Sequence, residues 1–301
     1  MTREEYQNIK AMSKWPLNKL IDFLNDKDNL ETTEKFIALE PNFICLIKDE
    51  NFASELIRNS LKISTNGIWT FAKELPNIKD EETYNEIATL MASESGDSLV
   101  FIDNQTDNIC LTAVKQNGLS LQYVKNKTEE ICTQAIINAP YAIRYVPSTE
   151  PFYKPLAELA VRLDGNMFQY INSKQQTKSM VENAIKCNAY NINYVNEEFL
   201  SPDIIMKAVR KEPYLISRFD PDDIETGVYY NTAVKEEGTA LSQIPKDKIT
   251  LSLCLSAILE GSNAIGIFSC IPDEYIDIVL DKLNEYIQKR RHNAEDKIET
   301  K

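Results

Sequence analysis

The amino-acid sequence predicts an all-α fold: an elongated, curved α-solenoid of about ten short two-helix repeats, each roughly 24 residues long. Three observations predict it. An alanine-centred motif returns along the chain at nearly constant spacing. A threonine or serine stands seven residues ahead of that alanine in almost every copy. A pair of apolar residues follows at a fixed distance behind it.

The motif is plainest in "TAVKQNGLSLQYV", Thr112 to Val124, and "QAIINAPYAIRYV", Gln134 to Val146. Anchored on Ala113, it returns at Ala135, Ala160, Ala184, Ala208, Ala233 and Ala257, with spacings of 22, 25, 24, 24, 25 and 24 residues. Looser copies place Met91 and Phe36 at the anchor, and a third lies near Leu61. Thr106, Thr128, Thr177, Ser201, Thr226 and Thr250 precede their anchors by seven. They read as N-caps, whose side-chain oxygen accepts an orphan backbone N–H at a helix start. Glu129 and Glu130 follow Thr128, where acids favour the helix dipole. A first helix of about ten residues then runs from the cap to just past the anchor.

Five residues beyond the anchor stands Gly118, Pro140, Gly165, Pro213 or Gly238. Glycine suits a left-handed residue that ends a helix, and proline suits the first turn of the next. A short second helix carries apolar pairs at i,i+3 on one face. These pairs are Leu121/Val124, Ile143/Val146, Phe168/Ile171, Ile192/Val195, Ile216/Phe219, Leu241/Ile244 and Ile265/Phe268. Pro147, Pro245 and Pro272 punctuate the exits.

One such helix pair cannot bury its own apolar face, but stacked copies can. With neighbouring pairs about 8–10 Å apart, the stack would extend about 80–100 Å. Residues 1–30 are expected to form an N-terminal helical cap and 31–103 divergent acidic repeats. Residues 104–272 are the regular helix-pair repeats, and 273–301 a C-terminal capping helix followed by a tail from His292.

The pattern "AVKQNGLSLQYV…AIINAPYAIRYVP" resembles a repeat family of unknown function, whose copies read roughly Ala-Val-Lys-x-Asn-Gly/Pro-x-x-Leu-x-Tyr-Val. The resemblance is clearest from Asp107 to about Pro245 and weak at Ser256 and before Met91. It implies a helical repeat without an established activity, found in bacteria, secreted effectors included, and in large viruses. It therefore points to an interaction protein from a bacterium or a phage. It supplies no catalytic residue.

Composition narrows the function. The chain has 301 residues, 43% hydrophobic and 26% charged, with a net charge of −13. That balance argues against general nucleic-acid binding, which needs cations for the phosphates, and fits a basic partner or mimicry of nucleic acid. The first residues lack the apolar core of a secretory signal. "LSLCLSAIL", from Leu251, is too short to span a bilayer, so the expected location is cytoplasmic, without a membrane partner.

No motif for a cofactor or metal stands out, and none is expected. Cys110, Cys132 and Cys254 each lie three residues before an anchor, a slot filled by apolar residues in other copies, and read as small buried hydrophobes. The lone histidine, His292, leaves little material for a catalytic pair. "DPDDIE", Asp220 to Glu225, lacks the glycine of a calcium loop and reads as a solvated turn.

Three features are candidates for partner binding. Tyr123, Tyr145, Tyr170 and Tyr194 lie ten residues past successive anchors, with Phe101 before them. Such positions suit the edge of a core, or a row of aromatics on a binding face. Lys115, Arg162, Lys186, Arg210 and Lys235 lie two past their anchors. They complement the helix dipole, with Glu158–Arg162 and Glu182–Lys186 expected as i,i+4 pairs, or form a stripe for an anionic partner. Residues 31–103 hold fourteen acids and six bases, whereas 104–200 hold nine of each. Within that acidic block, Glu74, Asp80, Glu81, Glu82 and Glu86 form a solvated face or a docking surface for a basic protein.

The expected function is a non-enzymatic helical-repeat protein that binds a protein partner as adaptor, effector or inhibitor. A sharper alternative is an acidic, phage-type anti-defence inhibitor of a bacterial nuclease or another nucleic-acid-binding enzyme. A third is direct binding of anions or nucleic acid by the basic row.

Overall fold

The computed structural model describes residues 2–64, 67–219, 226–261 and 266–299, and helix is the only regular structure among them. Packing divides the chain into two compact units, Met1–Leu163 and Asp164–Lys301. The division falls inside the run 104–272 that the sequence presents as continuous.

The first unit contains α1 (Arg3–Met12), α2 (Leu17–Leu24), α3 (Leu30–Leu39), α4 (Glu50–Ile63), α5 (Ile68–Phe71), α6 (Glu81–Glu94), α7 (Asp107–Gln116), α8 (Glu129–Asn138) and α9 (Tyr153–Leu163). The second contains α10 (Lys178–Cys187), α11 (Pro202–Lys211), α12 (Thr226–Glu236), α13 (Leu251–Leu259) and α14 (Asp273–Glu299). In the first unit α6, α7, α8 and α9 pack in chain order, and in the second so do α10 to α14. The chain starts with a capping box, in which Thr2 and Glu5 each accept from the other's backbone N–H. Helix α14 continues through the segment expected as a tail and ends at Glu299.

Local chemistry sets the helix starts. Thr106, Thr128, Thr177 and Thr250 accept from the N–H of Ile109, Ile131, Met180 and Leu253 at 3.3–3.4 Å. Each such cap is worth about 1 kcal/mol. Ser201 occupies the same position without a side-chain cap bond, and Pro202 takes the first helical place, where its missing N–H costs nothing. The Thr226 side chain and the "DPDDIE" segment lie outside the described residues. Helices α7, α8, α10 and α11 have the ten residues expected. All seven anchor alanines are fully buried, as are Met91 and Phe36 at the same place in the looser copies.

The second helix of each pair is 3₁₀. Residues Gly96–Phe101, Gly118–Tyr123, Pro140–Tyr145, Gly165–Tyr170, Ala189–Tyr194, Pro213–Arg218 and Gly238–Gln243 each form a six-residue 3₁₀ turn. With three residues per turn, side chains three apart eclipse. Each short helix therefore has three distinct edges. Positions five, eight and eleven past the anchor face the core, as Gly118, Leu121 and Val124 do. Positions seven and ten form a second edge, buried at its start and open at its end. Positions six and nine form the third and outermost edge.

The glycines differ from expectation. None of Gly118, Gly165 and Gly238 is left-handed; among described residues only Gly266 has positive φ. The residue before Gly118, Asn117, is extended and caps the 3₁₀ helix by accepting from Leu119 N–H. Gly118 is needed for close approach, because a Cβ there would stand 2.4 Å from the carbonyl oxygen of Ala135 in the next repeat. The same tightness recurs at Gly165, where a Cβ would meet the Cys187 Cβ at 2.3 Å.

Amides sew successive repeats together. Asn138 accepts from Gly118 N–H at 2.7 Å and donates to the Lys115 carbonyl at 2.8 Å. Gln105 donates to the carbonyls of Leu99 and Tyr123 and accepts from Lys125 N–H. Gln176, almost fully buried, does the same with Tyr194 and Asn196 in the second unit. These bonds satisfy backbone groups at the ends of the 3₁₀ helices that have no partner within them.

The last copy departs in register. Ile265 lies outside the described residues, and Phe268, expected in the core, is 40% exposed. Ile271 is buried immediately before Pro272, just as Val146 precedes Pro147 and Ile244 precedes Pro245. The exit proline thus marks the true register, and three residues are inserted between Ala257 and the core position that Ile271 fills.

Candidate partner-binding surface

The tyrosines ten past the anchors sit at the open end of the second 3₁₀ edge. In the first unit Tyr123 and Tyr145 are half-buried, and in the second Tyr170 and Tyr194 are exposed. Arg218 holds the equivalent place in the following repeat and donates to the Asn193 side chain of the preceding one. Phe101, exposed, meets the exposed Trp69 edge to face with ring centroids 5.2 Å apart. That pair brings α5 and a 3₁₀ turn thirty residues later into one apolar patch.

A further tyrosine row was missed by sequence reading. Six past their anchors stand Tyr141 in the first unit and Tyr190 and Tyr214 in the second. Tyr190 is 47% and Tyr214 38% exposed, on the outermost edge of the 3₁₀ helices. Tyr214 Oη and Thr239 Oγ1, at equivalent places in successive repeats, are hydrogen-bonded at 2.6 Å. In the first unit the Arg144 guanidinium lies 4.8 Å from the Tyr141 ring, three residues away and eclipsed with it. The available signal was the three-residue period itself, which assigns positions six and nine to one edge.

The basic row is exposed throughout, with Lys115 and Arg162 in the first unit and Lys186, Arg210 and Lys235 in the second. Its members stand in the last turns of their helices, where cations complement the dipole. Lys235 pairs with Glu260 at 3.0 Å. Glu182 approaches Lys207 of the next helix at 4.0 Å instead of Lys186 on its own.

The acidic candidates have structural work of their own. Asp80 caps α6 by accepting from Thr83 N–H at 2.8 Å. The Thr83 hydroxyl and that N–H hold the Asp80 carboxyl below the usual range. Glu81 and Glu82 lie exposed in the first turn of α6. Glu86 pairs with Arg58 at 3.0 Å, and Glu74 accepts from the Asn77 amide. A cavity of about 400 Å³ opens beside Glu74, floored by Ile44, Ile47 and Ile57, with Glu50 and Lys79 paired at 3.5 Å among its lining residues.

Cys110, Cys132 and Cys254 are buried as expected, and burial raises the Cys110 and Cys132 thiols to about 11. The side chain of His292 lies outside the described residues. Among the described residues no group of His, Cys, Asp or Glu is placed to hold a metal ion, and no helix is long and apolar enough to cross a membrane.

These features define an all-helical protein built from helix–3₁₀ pairs with aromatic rows on their open edges. A family model described as a domain of unknown function (DUF4116) matches residues 106–150 and 177–223. Both matched segments begin on an N-capping threonine, Thr106 and Thr177. No curated protein and no solved structure matches the chain.

Proposed function

We propose that this is a non-enzymatic α-solenoid protein that binds a protein partner through the open edges of its 3₁₀ helices, as adaptor, effector or inhibitor. The observation that carries the reading is the repetition of exposed tyrosine at equivalent places, Tyr170 and Tyr194 on one edge and Tyr190 and Tyr214 on the other. Between a third and a half of each of these side chains stays open to solvent. Tyrosine offers large contact area at low entropic cost and is enriched where proteins bind one another. Affinity capture with mass spectrometry tests it: one defined protein should be retained by the wild-type chain and lost when Tyr190 and Tyr214 become alanine. Turnover of a nucleotide or peptide substrate, abolished by a single substitution, would sink the reading.

A second reading is that the acidic first unit docks a basic, nucleic-acid-binding protein, as an anti-defence inhibitor would. The exposed Trp69–Phe101 pair, carried by the net-negative block 31–103, favours it, because aromatic faces attract cations and a net-negative segment suits a cationic surface. Capture through this unit should fail at high salt and after Trp69→Ala.

A further inference from the structure

Helix α14 has 27 residues and is about 40 Å long, whereas α13, on which it packs, has nine. Its hold on the described core ends early, with Tyr275, Ile276 and Val279. Further along, apolar side chains stay open. Leu280 is 41% and Ile287 38% exposed, and Leu283 is half-buried. Ile276, Leu280, Leu283 and Ile287 follow one another at intervals of four, three and four. That spacing sets them on one stripe of the helix, as in the seam of a two-helix coil.

Charge selects what lies against the stripe. Between Asp273 and Asp281 the helix carries four acids, Asp273, Glu274, Asp277 and Asp281, and no base. Between Lys282 and Arg290 it carries three bases, Lys282, Lys289 and Arg290, and one acid, Glu285. Lys282 and Glu285 pair with each other at 2.9 Å, and the Arg290 guanidinium lies 5.2 Å from the centre of the Tyr286 ring. Asp273, Asp277, Asp281 and Lys289 have no ion-pair partner among the described residues. A helix that changes sign halfway along is complementary to its own reverse. Two copies running in opposite directions set the acidic half of each beside the basic half of the other. Two copies running in the same direction would set acids against acids.

The apolar stripe agrees with the opposed direction. Both helices rise equally per residue, so one register fixes every layer. With Leu280 opposite Leu283 of the second copy, Ile276 falls opposite Ile287 and Asp273 opposite Arg290. Two-fold symmetry makes each of these pairings occur twice.

We infer that α14 docks a second copy of this chain, antiparallel, through Ile276, Leu280, Leu283 and Ile287, with Asp273 and Arg290 closing the two ends of the seam. The interface uses none of the residues of the partner-binding reading and goes beyond it.

Sedimentation velocity on the full chain, between about 2 and 200 µM, tests it, because a seam this short suits a weak dimer. The mass should rise from monomer toward dimer across that range. Leu280→Glu and Ile287→Glu, both at exposed positions, should each raise the dimer dissociation constant at least about tenfold. Their melting temperatures at about 2 µM, where every variant is monomeric, should match that of the wild-type chain. Asp273→Arg and Arg290→Asp should each weaken the dimer about fivefold, and the two together should restore it to within about twofold. A monomer at every concentration, a dimer indifferent to both glutamate substitutions, or a double variant no tighter than the weaker single one would each overturn the inference.

Discussion

Gly118 lies directly against the helix of the following repeat, so that a Cβ on it would stand 2.4 Å from the Ala135 carbonyl oxygen and 2.9 Å from the Ala139 Cβ. Two backbones meet there with no side chain between them. The anchor alanines provide the same closeness within the helix layer, where larger residues would hold the helices apart.

Gly118→Ala should therefore destabilise the first unit by overpacking. The added methyl would press on backbone atoms, which cannot swing aside as a flexible side chain can. A loss of about 1–3 kcal/mol in urea unfolding is expected. Gly227→Ala is the control, because a Cβ there meets nothing within 4 Å and the substitution should be neutral or slightly stabilising.

Gln176→Leu should cost a comparable amount for a different reason. The amide of Gln176 donates to Tyr194 O at 2.7 Å and accepts from Asn196 N–H at 2.8 Å. Leucine keeps the volume and strands both backbone groups in a nearly buried place. About 1–3 kcal/mol is expected, read as a shift of the unfolding midpoint at unchanged slope. Gln176→Glu should not rescue it, since an ionised carboxylate would be buried and opposed to the Tyr194 carbonyl oxygen.

What the sequence made legible and what it hid divide along local and non-local physics. The threonine caps were readable because a cap is decided within four residues. The buried alanines and the core pairs were readable because they recur. The 3₁₀ form of the second helix was not, because apolar residues at i,i+3 suit an α-helix equally well. Gly118 was misassigned because its reason lies in Ala135, a repeat away. Gln105 and Gln176 drew no notice, since their partners lie 18 and 20 residues on. Tyr190 and Tyr214 were passed over for the row at position ten, because only the three-residue period shows position six to be the outermost edge.

Stability in acid should depend on Asp80. Hydrogen bonds from the Thr83 hydroxyl and N–H lower its folded pKa below the unfolded value. A depressed carboxyl contributes stability that is complete above the unfolded pKa and lost as pH falls through the folded one. The loss should thus begin below about pH 4 and grow toward pH 2. Asp80→Asn keeps an oxygen to cap Thr83 N–H but cannot titrate. Melting curves across that range should fall less steeply for the variant than for the wild-type chain. Equal slopes would mean that Asp80 does not couple to folding.

Thiol chemistry should sort five of the six cysteines into two groups, with the half-buried Cys270 between them. Cys110, Cys132 and Cys254 are buried three residues before their anchors, and burial holds the first two near 11, so little thiolate exists at neutral pH. Cys45 and Cys187 are exposed. Brief alkylation of the native protein at about pH 8, followed by peptide mass spectrometry, should mark Cys45 and Cys187 and leave the three buried thiols unmarked until urea is added. Labelling of Cys132 at the rate of Cys187 in the native protein would show that the helix carrying Ala135 opens locally. The close contact between Ala135 and Gly118 would then be transient, not a fixed element of the stack.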